Sequence, residues 1–210
     1  MNGDLYCPSE PLSQQEGLGV EMSEFELLAI PLSLILGLGV THILTGVTDA
    51  IRERERVPLH WLPIAWAFLI FLFQVQYFFV LWDLNESGAI WTWPVFGPSL
   101  FNCVVLFLSA GLILPGSRQS DCTSLIDDFE NHGRFSLVML ALMLLVAILL
   151  NVFQFQDSLL STINMLNVIL FVLVCCVLMI RRYGWQVAAT LMFAAAQSYG
   201  LLAVWSVPGD

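Results

Sequence analysis

One stretch limits what this chain can become more than any other: LLAIPLSLILGLGVTHILTGVTDAIRERERV, Leu27 to Val57. Leu28 to Val47 supplies the ~20 apolar residues that a helix needs to cross a ~30 Å hydrocarbon core. It ends in Arg52, Arg54 and Arg56. Five further apolar segments follow, so the expected spans are approximately 27–49, 61–82, 95–114, 135–152, 159–180 and 185–205. The expected fold class is all-α: a polytopic six-transmembrane-helix bundle.

Composition agrees. Hydrophobic residues make up 58% of the 210 and charged residues 11%, too little polar surface for a soluble domain. All seven basic residues are arginine, and six of the seventeen acids (Asp4, Glu10, Glu16, Glu21, Glu24, Glu26) precede the first apolar run. A chain with formal charge −10 and no basic face has nothing to offer nucleic acid. The lipid bilayer is the first expected partner.

Residues 1–22 hold few large apolar side chains and are broken by Pro8, Pro11, Gly17 and Gly19, which reads as a disordered acidic tail. Met22 is a second candidate start. Ser23-x-x-Glu26 has the form of a capping box for the first helix, and Pro31 marks a kink within it. In the long connector 116–134, Ser124-x-x-Asp127 precedes a short helix through Leu125 and Phe129, expected along the membrane surface. The five cysteines form no CxxC and imply neither a disulfide framework nor a zinc site.

With six spans, alternate connectors share a side. Arg52, Arg54 and Arg56 fall in the first connector, Arg118 and Arg134 in the third, and Arg181 and Arg182 in the fifth. The positive-inside rule then places both termini outside.

The run Ser33-Leu34-Ile35-Leu36-Gly37-Leu38-Gly39-Val40-Thr41-His42-Ile43-Leu44 carries a resemblance, together with the arginine-rich turn and Trp61, Trp66, Gln74 and Trp82. The chain from about Met22 onward resembles a family of small bacterial inner-membrane proteins with an SxILGLGxTHxL-type first helix. The Asp128-Phe129-x-x-His132-x-Arg134 approach to the fourth span is similar as well. The resemblance implies a multi-pass protein of the bacterial inner membrane, and it implies no particular chemistry.

Two constellations stand out. Ala29, Ser33, Gly37, Thr41, Thr45 and Asp49 recur every fourth residue as a ridge of small or short polar side chains, a surface suited to close helix approach. The Ser33/Gly37/Thr41 part of it is the expected contact with another membrane protein or a second copy. Beside it lies His42, about 7 Å from mid-span, with Gly39 and Gly46 at spacings that suggest a notch around the imidazole. His42, Gly39, Gly46 and Thr41 are therefore the candidate functional residues. Either the histidine is a neutral structural group, or it is a switch that needs an acid of the long connector (Asp127, Asp128 or Glu130) folded over it.

The second constellation is uncharged: Gln74, Gln76, Asn102, Asn151, Asn164, Asn167 and Gln197. Such amides hold a bundle together by bonding to one another, or else Gln74, Gln76, Asn102, Asn164, Asn167 and Gln197 line an outward-facing pocket for a small neutral or zwitterionic ligand. No Asp, Glu, Lys or Arg lies mid-span, and GxSxG, HExxH and P-loop motifs are absent from the sequence. No catalytic residue, metal site or cofactor is assigned, and an enzyme is the least supported class. A non-catalytic accessory or structural membrane subunit comes first, and a small-solute transporter or membrane sensor is the alternative.

Overall fold

The computed structural model describes residues 24–54, 60–86, 93–114, 129, 133–153, 161–180 and 182–205. They form six helices: α1 Glu24–Arg52, α2 Trp61–Glu86, α3 Trp93–Leu112, α4 Arg134–Phe153, α5 Thr162–Met179 and α6 Tyr183–Trp205. Among the described residues there is no strand, and the architecture is an all-α bundle. The tail 1–22, Ser23 of the capping box, and the connector residues 124–128 and 130–132 lie outside the described residues. So do Arg56, Arg118 and Arg181.

Helix bounds follow local chemistry. α1 runs 29 residues through Pro31 as one continuous helix, and Arg52 occupies its last turn. α5 starts at Thr162, later than the apolar run suggests, because the Ser161 side chain caps it: the Asn164 backbone N–H donates to Ser161 Oγ at 3.3 Å. Phe129, expected on the membrane surface, is buried in the core instead. A Cβ at Gly133 would come within 2.7 Å of the Phe129 ring, so Gly133 makes room for it.

Five helices, α1 to α5, are long and apolar enough to cross a membrane. Among the described residues, α6 is not one of them. It is nevertheless 23 residues long and lies parallel to α2. Trp61 Nε1 donates to Tyr183 Oη at 2.9 Å where the two helices start, and Gln197 Nε2 donates to Gln76 Oε1 at 2.9 Å further along both. Between those bonds the pair advances about 22 Å at 1.5 Å per residue.

The helices close a ring in the order α2, α1, α3, α4, α5, α6 and back to α2, with α2 also touching α3. α2 is apolar on every side and contributes the buried Leu62, Trp66, Ile70, Phe73 and Tyr77. Phe193 of α6 packs on it, its ring 5.0 Å from Trp66 and 5.8 Å from Phe73. The membrane registers on the surface as well. Trp82 and Trp93 are exposed at one end, and Trp61, Tyr183 and Trp185 at the other. Trp61 and Trp82 are about 32 Å apart along α2, the separation of two interfacial belts. The described arginines gather at the Trp61 end: Arg52 and Arg54 where α1 finishes, Arg134 at the start of α4, and Arg182 just before α6.

Candidate functional site: the polar layer and the outer flank of the first helix

The amides separate into partnered and unpartnered groups. Gln76 and Gln197 tie α2 to α6, and Asn151 Nδ2 donates to Asn164 Oδ1 at 3.0 Å, tying α4 to α5. Asn167 is half-buried on α5. Gln74 and Asn102 are both buried, and neither side chain has a hydrogen bond of acceptable geometry with a described residue. Tyr77 Oη donates to the Ser99 carbonyl at 3.2 Å, which fixes the antiparallel register of α2 on α3. Gln74 lies three residues before Tyr77 and Asn102 three after Ser99, so the two unpaired amides share one level near the middle of the bundle. Asn102 also neighbours the Tyr77 hydroxyl. The expected single pocket of six amides is thus divided: some of its members are interhelical ties, and Gln74 with Asn102 remains as a buried polar spot between α2 and α3.

Gly39 explains how Gln74 fits. A Cβ at Gly39 would collide with the Gln74 amide, so this glycine lets α1 sit directly over that side chain. Gly46 does the same for Leu114, whose Cβ would lie 3.1 Å from an added methyl. The notch expected around His42 is therefore occupied. Gly39 and Gly46 face neighbours of their own. His42 lies about 60° round the helix from Gly39, far enough to leave the seam.

His42 is exposed. Its ring lies over Gly111 of α3, where an added Cβ would meet Cδ2 at 3.7 Å and Nε2 at 3.8 Å. No described residue hydrogen-bonds to it. The acids expected to close over it, Asp127, Asp128 and Glu130, lie outside the described residues. Thr41, Thr45 and Thr48 beside it are exposed too. Each hydroxyl donates to the carbonyl four residues earlier, at 2.9, 2.9 and 2.7 Å, which satisfies it within the helix.

The four-residue ridge itself does not form one face. Each step of four residues advances about 40° beyond a full turn, so from Ala29 to Asp49 the ridge winds roughly 200° around α1. Ser33, Gly37, Thr41 and Thr45 are exposed, and nothing lies within 4 Å of a Cβ at Gly37. At Gly37, no described helix of this chain comes within contact of an added methyl.

A small-residue crossing with reciprocal hydrogen bonds lies elsewhere. Ser136 Oγ donates to the Ser109 carbonyl at 2.6 Å, and Ser109 Oγ donates back to the Ser136 carbonyl at 3.0 Å, joining α3 to α4. The run Ser109-Ala110-Gly111 was the signal in the sequence: three small residues together on α3 serve α4 through Ser109 and His42 through Gly111.

No family model, curated protein or solved structure matches this chain.

Proposed function

We propose that this chain is an accessory subunit of a membrane assembly, a six-span bundle that docks another membrane helix on the outer flank of α1. The observation that carries this reading is His42. Lipid tails offer no hydrogen-bond partner, and ionisable groups within spans ordinarily face a protein interior or a water-filled cavity. Here the imidazole is exposed next to Thr41 and Thr45 and to the open backbone at Gly37. A helix laid along this flank would give the ring a partner and would meet little side-chain bulk.

The polar ties favour the same reading. Gln76–Gln197, Asn151–Asn164 and Ser109–Ser136 use polar side chains to hold helices together. The parallel course of α6 along α2 supports a sixth span, and the arginines at one bundle end support a bacterial inner-membrane topology with both termini outside. One observation favours a solute transporter or sensor instead: the unpartnered Gln74 and Asn102 at a common level.

The test is co-purification in a mild detergent with quantified stoichiometry, comparing wild type with Gly37→Leu and His42→Leu. A second copy is distinguished by disulfide cross-linking of Thr41→Cys. We expect a fixed stoichiometric companion, or a cross-linked dimer, that both substitutions remove while the melting temperature of the chain alone holds. A monomer with no companion overturns the accessory reading. Solute uptake into proteoliposomes that is lost on Gln74→Leu would establish the alternative.

A further inference from the structure

The first N–H groups of a helix have no partner inside it, and a side chain just before the helix ordinarily accepts from the second or third residue. In α2 the third residue is Pro63, which has no N–H to offer. That leaves Leu62, whose backbone N–H donates to Nδ1 of the half-buried His60 at 3.3 Å. Leu62 is fully buried, so an acceptor lost here is not replaced from solvent.

The bond fixes the state of the ring. Nδ1 accepts a hydrogen bond only while it carries no proton, so the capping imidazole is neutral with its proton on Nε2. An imidazolium would set one N–H against another and place a positive charge at the positive end of the α2 dipole. The same ring meets Tyr183 of α6 edge to face, with centroids 5.4 Å apart and 81° between the planes. The Tyr183 hydroxyl in turn accepts the Trp61 bond that joins the starts of α2 and α6. The described charged groups at this end are Asp49, Arg52, Glu53 and Arg54 at and just past the end of α1, Arg134 of α4, and Arg182 before α6. None of them forms an ion pair with the ring. An imidazolium there has no described carboxylate to hold it in place.

We propose that His60 is a pH-sensitive latch between α2 and α6. Neutral, it caps α2 and braces Tyr183. Protonated, it releases the Leu62 N–H, turns away from Tyr183 and loosens the two helices at the arginine end. The cap contributes while the imidazole is neutral and is lost as pH falls through its titration. The latch is separate from the docking flank around His42 and does not depend on it.

The experiment follows the full chain in detergent micelles from about pH 8 to about pH 5.5, the range over which an imidazole charges. Two signals are read: the Leu62 amide by hydrogen exchange, corrected for its intrinsic pH dependence, and the Trp61 indole N–H by NMR of isotope-labelled tryptophan. In wild type we expect Leu62 protection to fall several-fold on acidification, with the Trp61 resonance moving over the same range. Asparagine accepts at a cap without titrating, so His60→Asn should hold both signals level while every other histidine remains. His42→Gln should leave the wild-type dependence intact. Leu62 protection in wild type that does not change with pH overturns the latch. So does an equal pH dependence in His60→Asn, or its loss in His42→Gln. A Leu62 response without one at Trp61 overturns the link to α6.

Discussion

α1 and α2 are similar in length and apolar character, yet the bundle uses them in opposite ways. α2 touches α1, α3 and α6, and buries Trp66, Ile70, Phe73, Gln74 and Tyr77 on several sides. α1 meets α2 and α3 along one seam (Leu32, Leu36, Gly39, Ile43, Ala50) and leaves Leu34, Leu38, Thr41, His42 and Leu44 exposed. Apolar composition places both helices in the membrane but says nothing about which lies inside the bundle, because a lipid tail solvates leucine as well as another helix does. The positions that distinguish them are the small and polar ones.

The largest expected difference is in core packing. Trp66→Ala on α2 removes a fully buried ring and should cost about 3–5 kcal/mol, while Leu38→Ala on α1 should fall within about 0.5 kcal/mol. Thermal unfolding in mild detergent measures both. Comparable losses would mean that α1 is covered within the monomer after all.

Next come the two glycines of α1, two residues apart. Gly39→Ala drives a methyl into the Gln74 amide and should destabilise by about 1–3 kcal/mol, with recovery in the Gly39→Ala/Gln74→Ala pair. Gly37→Ala meets open space and should stabilise by up to about 1 kcal/mol through helix propensity. A loss at Gly37 as large as that at Gly39 would contradict the seam.

The interhelical amides should give less. Gln76→Leu or Gln197→Leu alone should cost about 0.6–1.7 kcal/mol, and the double variant less than their sum, because each single change strands the other amide. Additive losses in the double-mutant cycle would show that the two amides do not act on each other. The smallest effect belongs to Thr41→Val. Its hydroxyl bonds only to its own helix, so the melting temperature of the chain alone should move by less than about 0.5 kcal/mol equivalent. Any large change should appear only in the retention of a companion.

Much of the architecture was legible in the residues. Apolar length identified the helices to within about four positions at each end, and Ser161 accounts for the later start of α5. The expectation that amides hold the bundle together holds for Gln76, Gln197, Asn151 and Asn164. The candidate site was less legible. Spacing put Gly39, His42 and Gly46 near one another on α1, but their neighbours proved to be Gln74 on α2, Gly111 on α3 and Leu114 just past the end of α3.

The sequence by itself determined that this is a bundle of long apolar helices with its described arginines at one end. Helix length and charge asymmetry are properties of each segment and need no knowledge of the others. Only the tertiary structure decided that Gly39 receives Gln74 while Gly37 stays open, that Ser109 meets Ser136, and that His42 faces outward. The physical reason lies in the solvent. In water, an apolar stripe tells a helix which way to turn. In a bilayer both faces of a helix are apolar, so rotation is set by where small residues allow close approach and polar groups find partners on a neighbouring helix. Those partners are defined only once the helices have assembled.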